Sequence, residues 1–157
     1  MSPTNIVCDN RRARYFYHIE SNLEAGIVLC GAEVKSLRNK SGISIAEAYA
    51  TIEKGELWLV NSHTPEYKFA AAGYNNDSSP RRPRKLLITK REIKNISKNI
   101  HREGMTIVPL RIYFNHKGCA KISIGIAKGK KLHDKREALR KKDWDRKQQR
   151  LVIRRNK

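Results

Sequence analysis

The last thirty residues of the chain are too polar to join a hydrophobic core, and this confines folding to the residues before them. Residues 128–157 carry 14 basic and 4 acidic side chains. From 128 to 150 only four residues are apolar, namely Leu132, Ala138, Leu139 and Trp144. Such a segment buries too little surface to offset its conformational entropy. We therefore predict a folded domain over 1–127 and a basic C-terminal tail over 128–157 that is disordered in isolation.

The tail nevertheless favours a helix once a partner neutralises its charge. It contains neither Gly nor Pro after Gly129 and is rich in Lys, Arg, Glu, Gln and Leu, which are good helix formers. We predict that it folds on binding.

The whole chain has a net charge of +19, from 34 Lys and Arg against 15 Asp and Glu, which exceeds what solubility requires. The partner is therefore expected to be a polyanion. Three cysteines with no CxxC pair favour a reducing compartment, and we find no signal peptide and no apolar run long enough to span a membrane. We expect a cytoplasmic protein with no membrane partner.

Short β-branched and aromatic runs predict about seven strands in the folded part. Lys54 and Gly55 mark one hairpin turn, residues 115–118 mark another, and Pro109 places its strand at an edge or a bulge. The predicted strands cover 15–20, 26–31, 43–53, 56–62, 86–88, 105–114 and 119–127.

Two helices are predicted between the strands. The first covers 32–38, where Val34 and Leu37 lie three residues apart. The second opens with a capping box at Thr89 and Glu92 and ends by Gly104. Its apolar face consists of Ile93, Ile96 and Ile100. Residues 73–84, rich in Gly, Asn, Ser, Pro and Arg, predict a loop with an exposed basic cluster.

The absence of a βαβ rhythm favours an OB-like antiparallel β-barrel with two inserted helices over a parallel sheet. Barrels of this size commonly bind nucleic acid, although a fold alone does not establish a function.

Nothing in the sequence indicates an enzyme or a cofactor. The five histidines lack metal-ligand spacing, and residues 125–131 lack the GxxxxGK[ST] pattern of a phosphate loop. No GxSxG elbow is present. We predict a protein without catalytic activity, metal or cofactor.

Residues 10–17 combine cations with aromatic rings, a mixture suited to phosphate contacts and stacking on unpaired bases. Asn10 is followed by Arg11, Arg12 and Arg14, and then by an aromatic run that includes Phe16 and Tyr17. For Phe16 a core position is favoured over an RNA contact.

The order of several segments along the chain resembles the small protein B family. The matching segments are NRRARYFYHIE from 10, EAGIVLCGAEVKSLR from 24, PRKLLITKREI from 83, HREG from 101 and GIAKGKKLHDKRE from 125. The resemblance implies a bacterial or organellar protein that binds tmRNA, an RNA with a tRNA-like domain that rescues stalled ribosomes. The protein would cradle that domain, replace its missing anticodon arm and act with the ribosome and, indirectly, with elongation factor Tu, as a monomer.

The resemblance also implies that Asn10, Tyr17, Glu24, Leu87 and Thr89 contact or organise the RNA surface. The charges of Lys128, Lys130 and Lys131 suit them to neutralise phosphates. Thr89 stands where relatives often carry Asn or His. The predicted RNA-binding residues are Asn10, Arg11, Arg12, Arg14, Tyr17, Glu24, Lys35, Arg38, Leu87, Thr89, Lys128, Lys130 and Lys131. A carboxylate repels phosphate, so Glu24 either accepts a bond from a base or a 2′-hydroxyl or pairs with a neighbouring arginine.

In the family the tail has a separate task on the ribosome. The segment His133, Asp134, Lys135 and Arg136 corresponds to a motif placed near the decoding centre, and the remaining tail enters the empty mRNA channel. Apolar contacts further along are implied for Trp144, Leu151 and Val152, although packing of Trp144 against the folded domain stays open.

Two other classes of protein remain as alternatives. A general basic RNA chaperone or ribosomal protein explains the charge equally well but gives no reason for the HDKR segment at the junction of domain and tail. A nuclease acting on stalled messages is the third, and it predicts cleavage of RNA by the pure protein.

Overall fold

The computed structural model describes residues 5–40, 42–67, 79–102 and 104–155, with side chains as far as Arg150 at the C-terminal end. The elements in chain order are β1 (Asn5–Asp9), α1 (Arg11–Phe16), β2 (Tyr17–Ile27), α2 (Gly31–Asn39), β3 (Tyr49–Glu53), β4 (Glu56–Val60), β5 (Arg84–Leu87), α3 (Lys90–Ile100), β6 (Met105–Phe114), β7 (Ala120–Gly129) and α4 (Leu132–Arg155).

The seven strands form one sheet in which every pairing is antiparallel, as predicted. The strand order is β1-β6-β3-β4-β5-β2-β7, and an additional pairing of β6 with β7 closes six of the strands into a ring. The ring is weakest between β3 and β6, which pair only at Ala50 and Ile107.

Both predicted hairpin turns are confirmed. Lys54 and Gly55 have φ values of 50° and 75°, as a two-residue turn of type I′ requires. The strand before it is shorter than predicted, because β3 begins at Tyr49. Pro109 borders a bulge at which the β6–β7 register shifts before Arg111, so the bulge rather than the edge accounts for this proline.

The predicted pair of strands at 15–20 and 26–31 is wrong. Asn10 caps a short helix, α1, that takes up residues 11–16, and β2 then continues without a turn through residues 21–25. A bulge after Ile19 shifts its register against β7. Parts of the two predicted strands therefore belong to one long strand that contains a bulge. Gly31 begins α2 and does not end a strand.

The two predicted helices are confirmed. Thr89 caps α3 by accepting a bond from the Glu92 N–H at 3.3 Å, while Glu92 accepts from the Thr89 N–H at 2.8 Å. α3 ends at Ile100, before Gly104, whose φ of 75° suits glycine. α1 and α4 are the additional helices; α4 lies in the tail, whose disorder in isolation stays a prediction.

The main core fills the ring. Leu57, Leu59 and Ile122 are completely buried there, and α2 and α3 contribute Leu37 and Ile96.

A second, smaller core lies where α1 packs on β6 and β7. It contains Ala13, Val108, Leu110 and Ala127. A Cβ atom on Gly125 would lie 3.0 Å from Ile19 Cγ2 and 3.2 Å from a methyl of Leu110, so the glycine permits the close approach.

A buried ion cluster joins α2 to β5. Glu33 is 5% exposed and Arg84 is 1% exposed. The Arg84 guanidinium donates to Glu33 Oε1 at 3.0 Å, to Ser62 Oγ at 2.8 Å and to the Pro80 carbonyl at 3.2 Å. Arg82 donates to Glu33 as well, at 2.8 Å from its Nε. With these partners the buried charges are compensated.

The predicted exposed basic cluster within 73–84 is wrong at Arg84, which is buried because it pairs with Glu33. Arg81 is exposed and Arg82 is half-buried. Residues 68–78, which include the first half of the predicted loop, lie outside the described residues.

Burial raises the pKa of Glu33, but bonds from Arg82 and the Cys30 N–H and the charges of both arginines outweigh it, so this pKa lies below its ordinary value of 4.5. Burial lowers the pKa of Arg84 although Glu33 opposes the shift; arginine stays charged because its ordinary pKa is far above neutrality.

We predict that Glu33→Gln lowers the free energy of unfolding by about 3 kcal/mol, because it leaves Arg84 buried without its counter-ion. Urea unfolding at pH 7 measures this. Since the pKa of Glu33 is depressed, its contribution is complete above pH 4.5 and is lost as the pH falls through the lower folded-state value. The wild type should therefore lose more stability than the variant on acidification.

The matched control is Glu20→Gln, which breaks the exposed pair with Arg102, whose side chain is 59% exposed. It should change stability by less than about 1 kcal/mol. Equal effects of the two variants would contradict a structural role for the buried cluster.

Candidate RNA-binding surfaces

Asn10 fastens α1 to the sheet. Its Oδ1 accepts from the Ala13 N–H at 3.1 Å, and its Nδ2 donates to the carbonyls of Ile45 at 3.1 Å and Pro109 at 3.0 Å. The residue is 7% exposed. The buried side chain of Asn10 thus holds the first basic segment, residues 11–14, in place against the sheet.

The arginines of α1 are exposed around a half-buried ring. Arg11, Arg12 and Arg14 face solvent, and the Arg12 guanidinium lies 5.4 Å from the centroid of Phe16. From the other helix, the Lys135 ammonium lies 5.0 Å from the same ring. Phe16 therefore links α1 to the first turn of α4 by cation–π contacts, a role that differs from the favoured core position.

The last strand brings further cations to α1. Tyr17 pairs with Gly129 and His18 with Lys128. The Lys130 N–H donates to the Phe16 carbonyl at 2.9 Å, and its ammonium donates to the Arg14 carbonyl at 3.0 Å. Lys128 and Lys131 are exposed.

A groove of ≈ 340 Å³ opens between these elements. It is lined by Arg14, Tyr17, His18, Ile19, Asn22, Leu110 and Lys130. The structure thus places seven predicted RNA-binding residues in or beside one surface, which we call the α1 surface: Arg11, Arg12, Arg14, Tyr17, Lys128, Lys130 and Lys131.

Three other predicted residues meet on a second surface, the β2–β5 surface, formed by Glu24, Leu87 and Thr89. Gly26 pairs with Leu87 on the neighbouring strand. Glu24 precedes Gly26 by two residues on β2, and Thr89, the N-cap of α3, follows Leu87 by two residues. Leu87 is 54% exposed. A Cβ on Gly26 would lie 3.2 Å from the Leu87 Cβ, so the absence of a side chain at Gly26 allows Leu87 to pack closely over β2.

Glu24 has partners within the protein. It accepts a hydrogen bond from the Tyr113 hydroxyl, and its Oε1 lies 3.5 Å from the Lys121 ammonium. Burial, together with the bond to Glu24, raises the pKa of Tyr113 to about 12. The structural partners of Glu24 are therefore a tyrosine and a lysine, and not the arginine considered above.

Lys35 and Arg38 belong to α2 and lie apart from both surfaces as named. Both are exposed. The Lys35 ammonium lies 5.5 Å from the centroid of Tyr67, and the Arg38 guanidinium lies 5.8 Å from that of Phe114.

The four residues predicted to lie near the decoding centre, 133–136, belong to the first turns of α4. The Asp134 carboxylate accepts from the Lys131 N–H at 3.1 Å and lies 2.8 Å from His133 Nε2. Lys135 contacts Phe16, as described above, and Arg136 is exposed.

Beyond these first turns the described part of α4 is solvent-exposed. Leu139 is 48% exposed and Trp144 is 63% exposed, so Trp144 does not pack back on the folded domain. The side chains of Leu151 and Val152 lie outside the described residues.

Sequence reasoning missed His18 and Asn22 as groove residues and Phe16 as a link to the tail. β2 was predicted to break within residues 21–25, which hid the fact that these side chains share one strand with Tyr17 and Glu24. Two signals in the sequence could have found them. Asn10 is a favourable N-cap for a helix over the following residues, and neither Gly nor Pro interrupts the strand between residues 17 and 25.

In the part of the chain that the structure describes, no group of three metal-ligating side chains is found. The helices of that part include none that is long and apolar enough to cross a lipid bilayer.

Comparison with known proteins identifies close relatives. The SmpB protein family profile matches residues 7–154. The chain is 57% identical over 149 residues to the SsrA-binding protein of Bartonella henselae, covering 95% of this chain and 92% of the relative. It is 54% identical over 151 residues to the SsrA-binding protein of Chelativorans sp., covering 95% of each.

A solved structure described as "tmRNA-SmpB: a journey to the center of the bacterial ribosome" contains a chain that is 42% identical and superposes with a TM-score of 0.66, covering 85% of this chain and 94% of the other.

We predict that Asn10→Ala loosens α1 without removing any exposed cation. It deletes the helix cap and leaves the carbonyls of Ile45 and Pro109 without their donor, so stability should fall by about 2 kcal/mol. Hydrogen exchange at the Ala13 amide should accelerate more than exchange in β6. Asn95→Ala, on the exposed face of α3, is the control and should leave both unchanged; unaltered exchange at Ala13 would contradict the fastening role.

Proposed function

We propose that this chain, which belongs to the SmpB protein family, binds tmRNA and acts with it on the ribosome in trans-translation. The observation that supports this most directly is identity of 54–57% to SsrA-binding proteins over 95% of the chain. The similar chain in the tmRNA-SmpB structure adds the ribosome as the place of action.

The folded domain is the RNA platform in this proposal. Glu24, Leu87 and Thr89 receive the tRNA-like domain of tmRNA, with Leu87 offering apolar surface to a base or sugar. Because Tyr113 and Lys121 already engage Glu24, we propose that Glu24 mainly fixes the shape and charge of this surface. Thr89 is committed to capping α3, and it offers RNA its exposed edge.

The α1 surface supplies charge and stacking in this proposal. Arg11, Arg12 and Arg14 neutralise phosphates, as do Lys128 and Lys131, and each such contact releases counterions. Tyr17 in the groove stacks on an unpaired base.

Apart from the α1 surface, Lys35 and Arg38 on α2 add positive charge. The protein thereby takes the place of the anticodon arm that the tRNA-like domain lacks.

The tail is proposed to sense whether the mRNA channel is empty. Residues 133–136 lie at the decoding centre, with His133 stacking on a base, and α4 continues into the channel. Trp144, Leu151 and Val152 make apolar contacts there. α4 is exposed along residues 139–150, so RNA walls can order it through charge, whereas an mRNA in the channel excludes it.

Other parts of the proposal follow from the family. The ring of strands is OB-like, the chain acts as a cytoplasmic monomer without catalytic activity, and elongation factor Tu delivers the loaded complex. The competing function is a general RNA chaperone. The exposed helix placed directly after the α1 surface favours the division into platform and tail.

We predict that truncation after Lys131 leaves tmRNA binding largely intact and abolishes peptide tagging on ribosomes with an empty channel. The physical reason is that the platform residues remain while the channel-filling segment is removed. Binding is measured by filter retention and tagging in a reconstituted translation system. Equal loss of both would count against separate tasks.

Salt titrations separate the proposal from the chaperone alternative. Affinities for tmRNA, tRNA and a random RNA are compared from 0.05 to 0.5 M salt. A preference for tmRNA that persists at physiological ionic strength supports the proposal, and a common slope without preference supports the chaperone.

We predict that Leu87→Ala weakens tmRNA binding about tenfold, equivalent to roughly 1.4 kcal/mol, with little change in stability because this leucine is 54% exposed. The control is Ile6→Ala, which truncates another exposed apolar residue, 41% exposed on β1. Equal affinities of the two variants would remove Leu87 from the binding surface.

A further inference from the structure

The outer face of α3 carries a row of basic side chains. Lys90, Arg91, Lys94 and Lys98 are all exposed. At 3.6 residues per turn they project within an arc of roughly 100°, on the side away from the buried Ile96. The row spans about 12 Å along the helix axis, so it is a surface feature and not a single charge.

The charge of this row is not neutralised by the described residues. None of the ion pairs found among them involves these four side chains. Glu92 is the single acidic residue of α3, and its carboxylate is engaged by the Thr89 N–H and hydroxyl at 2.8 Å and 2.7 Å. A face that serves solubility alone usually mixes both signs.

The row continues the β2–β5 surface. Thr89, which caps α3, precedes Lys90 directly, and Leu87 lies two residues earlier. Any RNA that reaches Leu87 and Thr89 therefore meets the first turn of α3 next. An anionic polymer fits this continuity, since it can follow the helix from its N-terminal end towards Lys98.

We infer that the α3 row, defined as Lys90, Arg91, Lys94 and Lys98, binds the phosphate backbone of the same structured RNA. This inference rests on the proposed function and extends its binding surface. Lys90, Lys94 and Lys98 are spaced by about 6 Å along the axis, so they contact successive phosphates and not one. Lysine acts as a point charge on phosphate, so the row adds affinity without reading sequence.

The test compares two double variants of the full chain with equal loss of charge. Lys94→Gln with Lys98→Gln removes half of the row and keeps helix propensity, which is similar for Lys and Gln. Lys54→Gln with Lys117→Gln removes two exposed lysines from the β3–β4 and β6–β7 turns.

The slope of log affinity for tmRNA against log salt should become shallower by about 1.4 to 1.8 in the α3 variant, and by clearly less in the turn variant. The advantage of the wild type over the α3 variant should grow about tenfold between 0.2 and 0.05 M salt. Equal slopes for the two variants overturn the inference.

A second measurement uses the unaltered protein and does not depend on folding of a variant. Acetylation of lysines is followed by mass spectrometry with and without tmRNA. Lys94 and Lys98 should be protected several-fold in the complex, while Lys54 and Lys117 react as in the free protein. Full reactivity of Lys94 and Lys98 in a complex that still prefers tmRNA over tRNA overturns the inference but leaves the proposed function standing. A protein with no such preference overturns both.

Discussion

The pairing of Glu33 with Arg84 holds together elements that are distant in the sequence. Through one guanidinium it connects α2, the start of β5 and the backbone at Ser62 and Pro80. β5 ends three residues later at Leu87, so this pair also positions the surface that receives RNA in the proposed function. A charge that would be expensive to bury alone is stable here because every donor finds an acceptor.

Some positive side chains in this protein stabilise the fold and others stay available to an anionic partner, and composition does not distinguish the two. Arg84 has the residue type of an RNA contact and stands in a basic stretch, yet it is inaccessible. Arg12 and Lys135 combine both roles, because they are at least partly exposed to solvent and also make cation–π contacts with Phe16. Accessibility, set by the fold, decides which of the cations can meet a phosphate.

Local rules predicted much of the fold. The capping box at Thr89, the Lys54–Gly55 turn and the β6–β7 hairpin depend on neighbouring residues, and all three are confirmed. The continuity of β2 through residues 21–25 was missed because it depends on a bulge after Ile19 and on pairing with β7, which is distant in the sequence. The sites followed the same division. Residue types marked the arginines of residues 11–14, and the family resemblance marked Glu24, Leu87 and Thr89. Only the pairing of β2 with β5 brings Leu87 beside the strand that carries Glu24.

The joint between domain and tail is very short. Two residues, Lys130 and Lys131, separate the end of β7 from the start of α4. A helix of 24 residues is about 36 Å long, so a tilt of only ~10° at its base displaces its far end by roughly 6 Å. The N–H and the ammonium of Lys130 are both hydrogen-bonded to the backbone of α1. The direction of α4, and with it the position of the far end of the tail, therefore depends on this residue.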